Sequence, residues 1–407
     1  MPARAADPRD PHRIRLLHGG QEFFPALVVA MDRARSEVRL ETYIFDFTGD
    51  AAQVAEALIR AASRGVTTWV VVDGVGTPDL PQPWCDRFKA AGVQWKVFSP
   101  LGTLGLLIPS RWRRLHRKLC VIDGDIAFCG GINLLDDHHD PNHGALEQPR
   151  FDFAVRVRGP LVEDVHDTMT RLWWRLQTAR KLRQVDAEGA LTAVRAAAHA
   201  GVEEPVHSRH MGHGARASLV LRDNFRFRRR IESSYRLAIA QARSEIVIAN
   251  AYFVPGVTLQ RALIRAARRG VKITLLLQGR YEYFMQYHAS RAAYGPMLAA
   301  GVEIIEYEAS FLHAKVAVMD APRGALATVG SSNLDPFSLL LAREANVFVR
   351  DDAFAAEMMG HLRYAIAHQG RRVAPDAHAR RSLVTRMANW LAYAGMRLMI
   401  MIAGKRY

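Results

Sequence analysis

The chain has 407 residues, 49% of them hydrophobic, and a formal charge of +15 from 55 Lys and Arg against 40 Asp and Glu. That hydrophobic share excludes wholesale disorder and allows two ordinary domains or one large pseudo-symmetric unit. Cys85, Cys120 and Cys129 contain no CxxC pair and exclude a disulfide framework, while the positive balance asks for a polyanion: nucleic acid, an anionic membrane surface or a phosphate-bearing substrate.

Residues 1–12 are polar and contain proline, so they read as a disordered N-terminus and not as a signal peptide. A first domain is expected over 13–175. In it an amphipathic helix over 23–35 leads to an apolar strand over 38–45. A second helix ends at Arg64-Gly65, where glycine suits a left-handed cap, and an apolar strand follows over 66–72. A short helix, another strand and a motif strand complete the set.

Residues 176–217 break the pattern and read as a connector rich in Ala, Arg, His and Gly. Its histidines, in His207-Ser-Arg-His-Met-Gly-His-Gly214, lack a regular metal-ligand spacing. The pattern then restarts in a second expected domain, 218–372. It has a helix over 231–243, a strand over 246–253, a helix ending at Arg269-Gly270 and a strand over 271–277. Near-continuous apolar runs alternating with helices predict buried strands in an α/β sandwich.

The repetition is literal. Ala57-Leu-Ile-Arg-Ala-Ala-Ser-Arg-Gly-Val66 returns as Ala262-Leu-Ile-Arg-Ala-Ala-Arg-Arg-Gly-Val271 with one difference. Ala34-Arg-Ser-Glu37 returns as Ala242-Arg-Ser-Glu245, Ala91-Gly-Val93 as Ala300-Gly-Val302, and Leu115-His-Arg-Lys118 as Leu312-His-Ala-Lys315. All four keep one order at offsets of 197 to 209 residues, so the chain is two homologous halves in tandem.

Each half carries one chemical motif. His116-Arg-Lys118 leads to Asp123 and then to Gly130-Gly131-Ile-Asn133; His313-Ala-Lys315 leads to Asp320 and then to Gly330-Ser331-Ser-Asn333. On a strand, period two puts His and Lys of each motif on one face. An imidazole beside a fixed cation, a glycine turn and an asparagine make a phosphate site, with Gly131, Asn133, Ser331 and Asn333 as candidate donors. One such motif is a weak signal; two at equivalent places in a repeat are a strong one. The second copy has nine residues between Asp320 and Gly330 against six in the first, and Pro322-Arg-Gly324 reads as a longer hairpin turn.

The duplicated motif is the signature of the phospholipase D superfamily. From residue 13 to 351 the chain resembles bacterial cardiolipin synthases of the shorter type without N-terminal membrane helices. Glu22-Phe-Phe-Pro25, Glu41-Thr-Tyr-Ile-Phe45, Tyr252-Phe-Val-Pro255, Gln278-Gly-Arg280 and Gly330-Ser-Ser-Asn-Leu-Asp-Pro336 carry the likeness. The resemblance implies two α/β/α sandwich halves related by a pseudo-two-fold axis, with the motifs meeting across it. It implies that one histidine attacks phosphorus while the other acts as acid and then base, by family habit His116 and His313 respectively. Lys118 and Lys315 complete the catalytic set. The motif aspartates Asp123 and Asp320 are usually structural in the family. The carboxylates that orient the histidines match Asp152 and Glu344. No metal or other cofactor is implied.

Phospholipase D chemistry also serves nucleases, so the substrate must be argued separately. Leu101-Gly-Thr-Leu-Gly-Leu-Leu-Ile-Pro-Ser-Arg-Trp-Arg-Arg114 runs from apolar into cationic residues, which suits acyl chains beside a phosphate headgroup; a buried loop with a basic rim reads equally well. The 222–230 stretch, basic with interleaved aromatics, would by itself suit nucleic acid. Residues 373–407 decide for lipid: an apolar segment over 383–403 with Trp390, Tyr393, Arg386 and Arg397 is too short and too charged to span a bilayer comfortably. It suits a helix lying in the interface, with a helix packed on the core as the alternative.

The function the resemblance implies is transfer of a phosphatidyl group from one phosphatidylglycerol to another, giving cardiolipin and glycerol. Phosphatidylethanolamine and free glycerol remain open as co-substrates. The expected place is the cytoplasmic side of the bacterial inner membrane, peripherally bound to anionic lipid, with no nucleic acid and no obligate protein partner. A phosphodiesterase that hydrolyses phospholipid or nucleic acid is the alternative enzyme, and a catalytically silent membrane-binding protein is the alternative of another class.

Overall fold

The computed structural model describes residues 12–102, 109–183, 216–223, 227–322, 324–335 and 342–402. The expected N-terminal tail, connector residues 184–215, the middle of the 101–114 stretch and residues 224–226 of the basic patch lie outside the described residues. The chain divides into two compact units, Met1–Asp136 with Val155–Leu219, and Asp137–Ala154 with Val220–Tyr407. Residues 137–154, which precede the connector in sequence, thus belong to the second unit.

The first unit is built on a seven-stranded sheet. Its strands are β1 (Arg13–His18), β2 (Glu37–Thr42), β3 (Thr67–Asp73), β4 (Gln94–Phe98), β5 (Lys118–Ile122), β6 (Ile126–Gly130) and β7 (Phe153–Arg158). They lie in the order β1-β7-β6-β5-β2-β3-β4. The run β2-β3-β4 is parallel, which requires crossovers, supplied by helices α2 (Gly49–Ser63) and α3 (Gln82–Ala91). Strand β5, which carries the motif, pairs antiparallel with β2 and with β6. Helices α1 (Gly19–Asp32) and α4 (Leu161–Arg183) complete the unit.

The second unit repeats this plan. Strands β8 (Arg216–Arg222), β9 (Glu245–Asn250), β10 (Lys272–Gln278), β11 (Glu303–Tyr307), β12 (Lys315–Met319), β13 (Leu326–Gly330) and β14 (Ala342–Arg350) lie in the order β8-β14-β13-β12-β9-β10-β11, with β15 (Gly370–Arg372) added at the β11 edge. Parallel and antiparallel pairings match those of the first sheet strand for strand. Its helices include α5 (Arg230–Gln241), α6 (Val257–Arg268), α7 (Phe284–Ala292), α8 (Tyr294–Leu298) and α9 (Asp352–His368).

Local physics explains the matching boundaries. In α2, Ala51, Val54, Ala55, Leu58 and Ala61 are buried at helical spacing, and in α6 the same stripe is Leu259, Ala262, Leu263 and Ala266. Both helices stop at a glycine in the left-handed region, Gly65 at φ +86° and Gly270 at φ +89°. The N–H of Val66 returns to Ala61 O and that of Gly65 to Ala62 O, which is a Schellman cap; Val271 and Gly270 repeat it with Ala266 and Ala267.

Several boundaries differ from expectation. The strands expected over 38–45 and 246–253 end at Thr42 and Asn250, because the chain bends away to bond other segments: Leu134 N–H to Ile44 O, and Ala251 N–H to Ala314 O. Helix α4 runs to Arg183, past the connector boundary expected at residue 176, since no glycine or proline interrupts it. The longer second hairpin falls between Met319 and Leu326, where the N–H of Ala325 bonds Asp352 Oδ1 at 2.7 Å.

Candidate active site

Each motif histidine lies just before a central strand, β5 or β12, and the residue before it is clamped from the end of the parallel run. In the first unit Asp73, the last residue of β3, accepts from Leu115 N–H at 2.7 Å and from Arg114 at 2.9 Å. Gln278, the last residue of β10, does the same for Leu312 N–H at 3.1 Å. Neither clamp was assigned a role from sequence. The signals were that Asp73 and Gln278 end equivalent apolar strands and that Gln278 opens the Gln278-Gly-Arg280 stretch of the family likeness.

In the first unit the ring of His116 packs edge-on to Tyr43, 5.0 Å between centroids, and Lys118 Nζ donates to His116 O at 2.8 Å. Arg117 points to the other face, as period two requires, and is paired with buried Glu41 at 2.5 Å. At the end of β6, Gly131 is buried, and Asn133 Oδ1 accepts from Ile44 N–H at 3.3 Å.

In the second unit His313 Nδ1 lies 2.6 Å from Asp152 Oδ2. Phe151 delivers this carboxylate: its N–H bonds Phe311 O and its C=O accepts from His313 N–H, both at 3.0 Å. The other Asp152 oxygen accepts from Phe153 N–H at 2.8 Å, which fixes the side chain's direction. Lys315 Nζ donates to His313 O, and the lysine is fully buried. Burial pulls its ammonium below the usual lysine range, and the carboxylates of Asp152, Glu344, Glu282 and Asp335 pull it partly back. The buried cation is thus compensated by nearby carboxylates.

Ser331, Glu344 and the motif aspartates are each tied into the fold by hydrogen bonds. Ser331 is not a free phosphate donor: its N–H bonds Ala345 O at 3.0 Å and its hydroxyl donates to Glu344 Oε2 at 2.5 Å. Glu344 is fully buried on β14 and is joined to that serine. The aspartates Asp123 and Asp320, expected to be structural, are held by backbone donors. Asp123 accepts from the N–H groups of Arg35, Ser36 and Glu37 and from the Ser36 hydroxyl, at 2.7–3.1 Å. Asp320 accepts from Arg243, Ser244 and Glu245 at 2.9–3.2 Å. Both clasp the turn before β2 or β9. Burial would raise the Asp123 carboxyl, but those backbone donors hold it below the ordinary range.

Sequence reasoning missed a further group beside Lys315. The Tyr252 hydroxyl donates to Glu282 Oε2 at 2.7 Å, and both line a cleft with Gln278, Arg280 and Tyr283. Among the described residues no cluster of His, Cys, Asp and Glu is arranged to hold a metal ion. Cys120 and Cys129 are buried on the adjoining strands β5 and β6, and burial pushes the Cys129 thiol up to about 12.

The C-terminal segment forms α10 (Pro375–Ala379) and α11 (Leu383–Ile402). Helix α11 packs on α7 through Ala392, Met396 and Tyr393, which meet Val254, Met285 and Ala289. Its other face is open, with Leu383, Val384, Met387, Trp390, Leu391 and Leu398 between 52% and 78% exposed. The helix therefore combines core packing with an uncovered apolar face. Among the described residues no helix is long and apolar enough to cross a membrane.

Tandem α/β sandwiches, each presenting a His-x-Lys pair at the end of a central strand, define a two-motif protein of the phospholipase D type. The family described as "Cardiolipin synthase, PLD-like domain" matches residues 27–146 and 235–365. Cardiolipin synthase B of Escherichia coli K12 is 37% identical over 368 residues, covering 88% of this chain and 81% of that one. A probable cardiolipin synthase of Bacillus subtilis is 29% identical over 351 residues, covering 86% and 65%. Among solved structures, phosphatidylserine synthase of Haemophilus influenzae shares the fold at a TM-score of 0.70 over 97% of both chains, with 11% identity. The chain belongs to the cardiolipin synthase family of phospholipase D-like proteins.

Proposed function

We propose that the protein is a phosphatidyltransferase making cardiolipin from two phosphatidylglycerols, and that His116 and His313 act in one reaction. A His116 ring nitrogen attacks phosphorus, an N–P bond forms, and the P–O bond to the headgroup glycerol breaks. His313 gives its proton to the departing glycerol oxygen. The hydroxyl of a second phosphatidylglycerol then loses its proton to His313 and attacks phosphorus, and the N–P bond breaks to free His116. Lys118, Lys315, Asn133 and Asn333 offer donors for the non-bridging oxygens.

One observation carries the assignment of His313: the 2.6 Å contact of its Nδ1 with Asp152. A carboxylate there fixes the tautomer that leaves Nε2 as the working nitrogen and supports the imidazolium. Matches to cardiolipin synthases over most of the chain favour transfer over hydrolysis and lipid over nucleic acid. The uncovered face of α11, flanked by exposed Arg380, Arg386 and Arg397, favours peripheral attachment to anionic lipid on the cytoplasmic leaflet.

The test is to incubate the protein with labelled phosphatidylglycerol in mixed micelles and separate the lipids. Cardiolipin and glycerol are expected, and both His116→Ala and His313→Ala are expected to abolish them. Phosphatidic acid as sole product would assign hydrolysis instead, and substantial turnover in either variant would refute the two-histidine scheme.

A further inference from the structure

The repeat supplies an internal comparison for the helices that cover each sheet. In the first half Arg60 of α2 makes a bidentate pair with Asp32 of α1, both bonds at 2.9 Å. Nearby, Arg64 Nη2 donates to Met31 O at 2.9 Å. The second half keeps this frame: Arg269 Nη2 donates to Ile239 O at 3.0 Å, and Ile239 stands to Met31 as Ala242 does to Ala34. In that register Arg265 takes the place of Arg60, and Ala240 takes the place of Asp32. The arginine is kept and its carboxylate is gone. Arg265 makes no ion pair or side-chain hydrogen bond with a described residue.

Other exchanges between the halves move the same way. Val28 becomes Arg236 on α5, and Ser63 becomes Arg268 at the end of α6. Glu56, which pairs with Arg87 at 2.6 Å in the first half, becomes Arg261. Arg236 is exposed at mid-helix and likewise has no acidic partner among the described residues. Cations near the end of α6 answer its helix dipole, but that does not account for Arg236. Between α5 and α6 lies a groove of about 330 Å³, lined by Ser233, Arg236, Leu237, Ala240, Arg265 and Arg269, among others. Small-ligand sites begin at about 300 Å³. A carboxylate at position 240 would neutralise this groove; the alanine leaves it open and positive.

We propose that this groove is a second anion site, taking the phosphate group of a small soluble compound. A guanidinium meets a phosphate through two parallel N–H donors, and Arg236 and Arg265 bring unspent guanidiniums from two different helices. Arg269, held to the Ile239 carbonyl by one nitrogen, adds its charge, and Ser233 adds a hydroxyl. Leu237, 61% exposed, offers apolar cover to the organic part of such a compound. The site is separate from the reacting one. Arg269 precedes β10, whose last residue, Gln278, holds the residue before His313, so groove and motif lie at opposite ends of that strand. Helix α11 packs at the motif end, on Val254 and α7, which follow β9 and β10. The groove is thus at the far end of the sheet from the helix proposed to meet lipid, which favours a solute over a lipid headgroup.

Calorimetric titration with inorganic pyrophosphate at constant ionic strength tests the site. The motif residues also offer donors to phosphate, so the groove is the part of the binding lost in variants that leave the motifs intact. Ala240→Asp rebuilds the pair of Arg60 and Asp32 in the second half, and should take up one pyrophosphate fewer than wild type. Arg236→Gln should weaken the groove's share by about tenfold or more, and it carries the test if Ala240→Asp does not fold. Arg60→Gln, at the matching place in the first half, should bind as wild type does. Equal stoichiometry and affinity in wild type, Ala240→Asp and Arg236→Gln would overturn the site. Sedimentation with vesicles of anionic lipid separates the two sources of phosphate, and both groove variants should sediment as wild type does. Loss of vesicle binding in either would assign the groove to lipid headgroups and overturn the solute.

Discussion

Asp152 and His313 stand 161 residues apart in sequence, yet their side chains meet at 2.6 Å. The carboxylate is buried and the imidazole partly exposed, so the pair joins a fixed anion to a ring that can reach substrate. Asp152→Asn keeps the shape but presents an amide to Nδ1, favouring the wrong tautomer and withdrawing support from the imidazolium. Such a loss in a His–carboxylate pair costs about 10³–10⁴-fold in kcat. Initial rates of cardiolipin formation should fall by that order, with KM changed far less. Activity within tenfold of wild type would remove Asp152 from the acid/base pair.

The motif aspartates predict the opposite phenotype. Asp123→Asn is compatible with the backbone there, at φ +53°, since Asn tolerates the left-handed region. It removes the charge from a cluster of backbone hydrogen bonds, a loss on the order of 1–3 kcal/mol in stability. The folded carboxyl titrates below its unfolded value. Its stabilisation is therefore complete above about pH 4 and is lost as pH falls through the folded value. Thermal melts should show a gap between wild type and variant at neutral pH that closes on acidification, with activity per folded molecule much less affected than in Asp152→Asn. A variant that melts like wild type but is inactive would return Asp123 to the chemistry.

Much of this was legible in the chain because the signals are local. The Ala57–Val66 and Ala262–Val271 repeats encode an apolar stripe, a glycine cap and a β-branched strand within ten residues, and the structure forms all three. Long-range pairings were not legible in this way. Asp152 belongs by sequence to the first half and by contact to the second unit, because residues 137–154 leave the fold their neighbours build. Ser331 looked like a phosphate donor because nothing local reveals Glu344, 13 residues on, as the acceptor of its hydroxyl. Glu282 escaped notice because it breaks the repeat, and the sequence argument was built on what repeats.

His166 supplies a pH test away from the motifs. It lies on α4 with Nδ1 3.8 Å from Asp167 and Nε2 2.7 Å from Glu37. The carboxylates of Asp167 and Glu37 raise its pKa to about 9, against the opposing effects of burial and Arg39. A raised folded value means that the stabilisation is complete below the unfolded pKa of about 6.5 and is lost as pH rises through about 9. The melting temperature of His166→Gln should lie below wild type at pH 6 and converge with it by pH 10. A gap that stays constant across that range would show that the ring contributes by packing and not by charge.

Helix α11 holds itself to α7 by Ala392 and Met396, so deleting it would expose that core, and point substitutions on its open face are the cleaner probe. Trp390 is 64% exposed and Leu391 55%, so replacing both with Asp removes apolar surface without disturbing the packed side. Burying each such side chain in a bilayer interface is worth roughly 1.5–3 kcal/mol, so losing both should weaken vesicle binding well over tenfold. Sedimentation with vesicles of anionic lipid should fall for the double variant at unchanged melting temperature. Added salt should weaken wild-type binding only in part, because it screens the arginines and leaves the apolar contribution standing. Wild-type sedimentation by the double variant would mean that the open face of α11 does not meet the lipid, and that attachment rests on charge elsewhere.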